Sequence, residues 1–447
     1  MYRNTVWFSD GVDESTVPKN LILPSQLIFE KQFNPDGTLK KYKCRLVIRG
    51  DKWFDIYHMD TYASTVKSET VKICMAIAAT EDMEMELVDV RSAFLYSPLK
   101  EDEVIYMRRP PGLNDSHMPK LVKLKKCIYG MKQASAYFHA HSDAVLKSFG
   151  CIPTAEDDCC YTLNYMGCKA IINKHVDDFG IMSTSKQLLT YIRSKLSEVY
   201  EITVDPTMKY YLGHHIVRDR QNKKIYLDQT AMIIDMAEKF NLPLDGPFPS
   251  TPMEYLPQEK IQKKYLDDKG IKDYQSRVGS VLYIAMHTRP DILFATATST
   301  TKTKTPTSQD LQAINRVISY LVGTKSLSLK LGSDEGIVLY GTVDASYATH
   351  DDAKSHTGFT LHIGKDSGSI MATSKKQKIT ADSSTIAEFI ATHIVAKEIL
   401  WCRRLLCSLG YPQLEPTILF EDNKSTISMI KINSTAKEQN TSMSGTI

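Results

Sequence analysis

Two sets of carboxylates have the types and settings to do chemistry together. In the first, Asp177-Asp178 lies between the apolar runs Ala170-Ile-Ile and Phe179-Gly-Ile-Met182, and Asp89 closes the run Glu86-Leu-Val. An Asp pair at a hairpin tip puts two carboxylates close together. A third from a neighbouring strand completes an oxygen cage for a hard cation such as Mg2+. Two such ions activate an attacking hydroxyl and stabilise the leaving oxygen in phosphoryl transfer. Taken alone, an Asp-Asp pair is more often a polar turn. In the second set, Asp344 ends the alternating run Ile337-Val-Leu-Tyr-Gly-Thr-Val343, Glu388 lies early in a long helical pattern, and Asp422 follows Thr417-Ile-Leu-Phe420. Acids on strand, helix and strand can converge on a two-metal nuclease site. Plainer readings stand beside this one: Thr385-Ile-Ala-Glu388 fits a capping box, and Asp422 before a helix fits an N-cap.

The elements that must carry these acids follow from periodicity. Residues 21–50 read as two strands around a turn at Asn34-Pro35-Asp36-Gly37. Residues 68–80 predict a helix with Val71, Cys74, Met75 and Ala78 on one face. A strand is expected at 86–95, a Lys-rich helix at about 123–149, strand–acidic turn–strand at 170–183, a helix at 185–200 and a strand from Tyr210 to Val217. Prolines 243, 247, 249, 252 and 257 argue for an irregular connection over 241–273. Helices are expected at about 275–287 and 308–322. Then come short strands at 336–347, 357–363 and 368–373, a helix at about 384–409, a strand at 417–421 and a helix from 423.

Composition bounds the function. The chain has 447 residues, 42% hydrophobic and 24% charged, enough for about three domains. With 55 Lys and Arg against 52 Asp and Glu it is neither histone-like nor an acidic disordered chain. Basic charge is local: Lys31 to Lys52 and Lys120 to Lys132 suggest a polyanion surface as readily as a solvated face. No apolar run matches a membrane span and no secretory pattern opens the chain, so an intracellular protein is expected. The nine cysteines never fall in CxxC spacing, and reduced, mostly buried thiols are a better reading than a zinc site around Cys151, Cys159, Cys160, Cys168 and His175.

Several runs resemble copia-type LTR retrotransposon Pol proteins, in that family's order. Lys41-Tyr-Lys-Cys-Arg-Leu-Val-Ile-Arg-Gly50 is similar to the fingers segment, and Val88-Asp-Val-Arg-Ser-Ala-Phe-Leu95 to the first catalytic motif. Tyr106-Met-Arg-Arg-Pro-Pro-Gly112, Leu124-Lys-Lys-Cys-Ile-Tyr-Gly-Met-Lys-Gln-Ala134 and His175-Val-Asp-Asp178 follow. Tyr211-Leu-Gly213, Val278-Gly-Ser-Val-Leu-Tyr283 and Thr288-Arg-Pro-Asp-Ile292 continue the order. Val343-Asp-Ala-Ser-Tyr-Ala348, Ser383-Ser-Thr-Ile-Ala-Glu-Phe389 and Glu421-Asp-Asn-Lys-Ser-Thr-Ile427 resemble the blocks of the family's ribonuclease H.

The resemblance implies an α+β chain: a polymerase right hand of fingers, palm and thumb, then a ribonuclease H-like α/β domain lacking its C-terminal end. The divisions expected are 1–240 for fingers and palm, 241–335 for thumb and connection, and 336–447 for the ribonuclease H-like domain. It implies RNA-directed DNA polymerisation, with Asp89, Asp177 and Asp178 binding two Mg2+ and Asp344, Glu388 and Asp422 binding two more. Lys43 and Arg45 would contact the dNTP triphosphate, Phe94 would lie under the incoming sugar, and Gln133 would line the nucleotide pocket. Lys120, Lys123, Lys125 and Lys126 could touch nucleic-acid phosphates. Partners implied are an RNA template, a DNA primer, an RNA–DNA hybrid and dNTPs, without a membrane. The setting implied is a cytoplasmic virus-like particle, with the nucleus as alternative.

The chain also departs from the family. His175 stands where the family has Tyr, and Asn173 and Lys174 interrupt an apolar strand, where a buried Lys is costly unless paired. Asn4-Thr-Val-Trp7 resembles the middle of the family's leading segment, so an upstream helix is expected to be missing. The terminal block that supplies a fourth ribonuclease H acid is absent. Codons for Glu438 to Ile447 read two nucleotides later permit it, so a frameshift near Lys437 is expected. The rival reading is a decayed, non-catalytic nucleic-acid-binding remnant. An unrelated phosphatase or nucleotidyltransferase would instead turn over without a template.

Overall fold

The computed structural model describes residues 6–7, 11–33, 38–53, 61–113, 118–254, 264–350 and 352–431. The expected turn at 34–37 and the expected frameshift near Lys437 lie outside them. In chain order the first elements are β1 (Ile22–Leu23), β2 (Ser25–Phe33), β3 (Leu39–Ile48), α1 (Ser68–Thr80), β4 (Glu84–Val90), β5 (Tyr106–Arg108) and β6 (Leu121–Lys123). Then come α2 (Ala134–Ser148), β7 (Ile152–Pro153), β8 (Cys160–Tyr165), β9 (Cys168–His175), β10 (Asp178–Ser183), α3 (Lys186–Ser197) and β11 (Ile202–Asp205). The later elements are β12 (Tyr210–Tyr211), β13 (His214–Asp219), β14 (Lys224–Asp228), α4 (Thr230–Lys239), α5 (Asp268–His287), α6 (Leu293–Thr300) and α7 (Ser308–Gly323). The last are β15 (Leu329–Leu331), β16 (Leu339–Ser346), β17 (His356–Ile363), β18 (Ser369–Lys376), α8 (Ser384–Ser408) and β19 (Ile418–Phe420). The chain is a mixed α/β protein in two compact units. One comprises 1–66, 86–154 and 158–206, and the other 67–85, 155–157 and 207–447.

The first unit is built on a sheet ordered β11-β4-β10-β9-β8-β7. Its core collects Val88, Val90, Phe138, Tyr161, Ile172, Phe179, Ile181 and Ile192, with α2 and α3 supplying the helical side. Each such aliphatic or aromatic side chain contributes about 1.5–3 kcal/mol by leaving water. A second core joins the β2–β3 hairpin and the strands β5 and β6 through Leu46, Ile48, Met107, Val122 and Ile128.

The polar residues in β9 are accommodated. Lys174 is 1% exposed. Its ammonium donates to His139 O and Ser142 Oγ, both at 3.2 Å, and lies 5.6 Å from the Tyr161 ring centre. Burial lowers its pKa, and Cys159 and Asp143 oppose that shift. The cation is paired by dipoles and a ring rather than by an ion bond, so its desolvation is only partly offset. Lys174→Met, similar in length and apolar, is expected to leave the melting temperature unchanged or higher. Lys174→Ala should destabilise by about 2–4 kcal/mol through the cavity it leaves. Denaturant titration of both variants checks this.

The expected Lys-rich helix at 123–149 is corrected: α2 begins only at Ala134, and residues 121–123 form β6. Gly130 sits at φ +93°, and a Cβ there would lie 2.1 Å from Ile48 O. A Cβ on Gly50 would lie 2.1 Å from Gly130 O. Ile48 N donates to Tyr129 O at 2.9 Å. Backbone packs on backbone here, which only glycine allows, and this contact overrides the local helical pattern. The strand expected to reach 95 stops at Val90, because Ser92 turns left-handed at φ +55° into a short 3-10 turn, Ala93–Tyr96.

The second unit holds the sheets β12-β13-β14-β15 and β18-β17-β16-β19. Helices α4 to α7 share one apolar core around Tyr274, Val281, Ile284, Ile314 and Leu321. Helix α1 is buried from Thr70 to Thr80 rather than on one face. Asp157 starts that helix by accepting from Lys67 N at 2.9 Å and Thr70 Oγ1 at 2.7 Å. The irregular connection ends earlier than 273, since Asp267 caps α5 by accepting from Gly270 N at 2.8 Å. None of the described helices is long and apolar enough to cross a membrane.

Candidate functional site

The Asp177-Asp178 pair sits where β9 turns into β10. His175 and Asp178 close the hairpin as a register pair, which leaves Val176 and Asp177 as a two-residue loop. Such loops demand positive φ, and Val176 takes φ +56°. A β-branched residue is strained there by about 1–2 kcal/mol. Val90 N donates to Asp177 O at 2.9 Å, stitching this loop to the end of β4 one residue past Asp89.

Among the described residues, oxygens of Asp89, Asp177 and Asp178 do not group within 4.8 Å as those of the second set do. Burial pushes Asp178 up to about 6, helped by the charges of Asp177 and Asp89. Burial also raises Asp89, with Asp177 adding to the shift and Lys43, Arg91 and Lys41 opposing it. The charge of Asp177 thus bears on both neighbours, and the lysines of β3 offset Asp89.

Arg45, on the same strand, forms a 2.6 Å ion pair with Glu30. Tyr129 joins the cluster, raised by burial and Asp177 and lowered by Arg45. Phe94 is half-buried, with its ring edge-on to Tyr129 at 5.0 Å and to Phe138 at 6.4 Å. Gln133 precedes α2, fully buried, and neither amide atom has a hydrogen-bond partner. Of the lysines expected at phosphates, Lys120 and Lys125 are exposed and Lys123 and Lys126 half-buried.

The second set of acids converges through strand register. β16 and β19 run parallel, with Thr342 beside Phe420. Asp344 and Asp422 each lie two residues beyond that pair on their own chain segment. Glu388 approaches from α8, which packs on β16. One carboxylate oxygen from each of the three lies within 4.8 Å of the others. Asp344 and Asp422 are exposed, whereas Glu388 is 5% exposed and its Oε2 has no partner. Burial pushes Glu388 up to about 7, with the charges of Glu421, Asp344 and Asp422 adding to it and the Ala345 N–H opposing. Three carboxylate oxygens so close, with Glu388 Oε2 buried and unpartnered, fit a divalent cation.

Both plainer readings of these residues are corrected. Ser383, not Thr385, caps α8, accepting from Ile386 N at 3.2 Å. Asn423, not Asp422, caps the following turn by accepting from Thr426 N at 3.0 Å. Among the described residues no disulfide joins the cysteines: Cys151, Cys159 and Cys160 are buried and Cys168 half-buried.

The family description "Reverse transcriptase (RNA-dependent DNA polymerase)" matches residues 14–254, more than half the chain and all of the first acid cluster. The chain belongs to the reverse transcriptase family. Its curated relatives are copia-type Pol polyproteins. The Pol polyprotein from transposon TNT 1-94 of Nicotiana tabacum is 32% identical over 92% of this chain and 31% of its own length. That from transposon RE1 of Arabidopsis thaliana is 30% identical over 90% and 27%. The transposon Ty1-BL Gag-Pol polyprotein of Saccharomyces cerevisiae is 26% identical over 98% and 25%. The chain therefore spans about a third or less of the relatives it matches. A solved foamy viral protease–reverse transcriptase in complex with double-stranded DNA aligns over 90% of this chain and 61% of its own, at 12% identity and TM-score 0.48.

The sequence reading missed Tyr129 and Glu421 as neighbours of the acids. Tyr129 lies inside the block Leu124 to Ala134, directly before Gly130 of the backbone contact with Ile48. Glu421 directly precedes Asp422.

Proposed function

We propose that the chain carries out RNA-directed DNA synthesis as the polymerase part of a copia-type Pol protein. The primer 3′-hydroxyl attacks the α-phosphate of a dNTP paired to an RNA template, and pyrophosphate leaves. The observation that carries this reading is the bond from Val90 N to Asp177 O, which ties the Asp177-Asp178 hairpin tip to the residue after Asp89, inside the family match. Asp89, Asp177 and Asp178 would hold two Mg2+ ions, which when bound supply activation of the hydroxyl and charge neutralisation at the phosphate. Lys43 and Arg45 hold the triphosphate by charge and by paired N–H donors. Phe94 supports the sugar from its bed on Tyr129 and Phe138.

Gln133 gives the orphaned amide of the nucleotide pocket. An unsatisfied buried amide costs about 1–3 kcal/mol. Gln133→Met is expected to raise the melting temperature while increasing KM for dNTP more than it changes kcat. Steady-state kinetics beside thermal melts check both halves.

The divisions 1–240, 241–335 and 336–447 would be fingers with palm, thumb with connection, and a ribonuclease H-like domain. In the last, Asp344, Glu388 and Asp422 would bind the ions for water attack on RNA in an RNA–DNA hybrid. The setting proposed is cytoplasmic.

Primer extension tests the main reading: purified chain, primed RNA template, dNTPs and Mg2+, with Asp177→Asn/Asp178→Asn as control. Extension by the parent alone supports it. A folded parent that binds primed template without extending it moves the reading to the non-catalytic remnant.

A further inference from the structure

Beside the second set of acids stands a carboxylate that the strand–helix–strand pattern does not use. Glu421 Oε1 accepts from Asn423 N at 2.9 Å, and its Oε2 accepts from Thr392 Oγ1 at 3.1 Å. Thr392 follows Glu388 by four residues on α8, so the two share a helix face. The first bond fixes the chain around Asp422, and the second draws the Glu421 carboxylate against the helix that carries Glu388. Each Glu421 oxygen keeps a further lone pair beyond the bond it accepts. Glu388 Oε2, buried and without a donor, is the independent sign that a positive charge belongs here. A second negative charge clamped close to an acid with one buried oxygen lacking a donor is offset by a bound cation.

We propose that Glu421 is a fourth acid of this cation site, whose charge helps hold the divalent ion bound by Asp344, Glu388 and Asp422. This rests on the reading of those three residues as a cation site. Glu421 acts as a positioning and charge-supplying residue.

Manganese binding tests it, followed by the electron paramagnetic resonance of free Mn2+. The full chain carries Asp177→Asn/Asp178→Asn in every sample, so that the first cluster is silenced. Glu421→Gln keeps the size and both hydrogen bonds, since an amide accepts from Asn423 N and donates to the Thr392 hydroxyl. It loses only the charge. Affinity for Mn2+ is expected to fall about fivefold or more, because affinity follows ligand charge. Affinity within about twofold of the parent overturns the proposal. Should Glu421→Gln not fold, Thr392→Val releases one anchor and carries the same test: weaker Mn2+ binding supports the role, and unchanged binding removes it. Asp344→Asn separates the underlying reading. If it binds Mn2+ as the parent does, the site itself is refuted. If it loses the ion while Glu421→Gln keeps it, this inference alone fails.

Discussion

Asp178→Asn is expected to abolish primer extension and yet to melt above the parent in cation-free buffer at pH 8. The two effects share one cause. Asp178 is pushed up to about 6 by burial and by Asp177 and Asp89, so its charged form is held against the fold's own preference. Between the ordinary carboxylate value of 3.8 and about 6 the folded chain binds more protons than the unfolded chain. Stability without cations therefore falls as pH rises through that window and stays lower above it. Asparagine removes that charge, so a gain of about 2–4 °C is expected. Mg2+ should raise the melting temperature of the parent by more than that of the variant, which keeps only the second set of acids. Activity should drop by about three orders of magnitude or more, since a ligand to the reacting ions is gone. Melts in EDTA and in Mg2+ beside primer extension check all three. A variant that melts well below the parent in EDTA would assign Asp178 a structural role.

The second large effect concerns Glu388. Burial, with Glu421, Asp344 and Asp422, pushes it up to about 7 from an ordinary 4.5. The sign is the same: stability in EDTA declines as pH rises from about 4.5 through about 7, because the unfolded chain releases the proton first. Glu388→Gln should erase this share of the decline, so that the difference between variant and parent is near zero at pH 4 and favours the variant at pH 8. The same variant should lose Mn2+ at the second site. Comparing the two proteins, rather than reading one curve, removes the overlapping contribution of Asp178. A parent–variant difference that is flat from pH 4 to pH 8 would show that Glu388 titrates normally.

How much of this was legible before the fold was known differs by element, for physical reasons. Helix α1 and helix α7 were readable to within a residue, because their apolar spacing and end signals are local. The tip of β9–β10 was readable as an acidic turn between apolar runs, because a two-residue period survives in sequence. The helix expected from 123 was not readable, because Gly130 is locked by contact with Ile48, eighty-odd residues away. The capping readings of Glu388 and Asp422 were locally sound, yet Ser383 and Asn423 took those bonds, a choice between neighbours that only hydrogen-bond geometry makes. By itself, then, the sequence determined the residue types of both acid sets and their order along the chain. Tertiary structure alone decided that Asp344, Glu388 and Asp422 meet within 4.8 Å, that Lys174 has partners in its buried place, and that Glu421 leans on Thr392. Residue type and period are properties of a short stretch, whereas convergence depends on strand register and helix packing between stretches far apart in the chain.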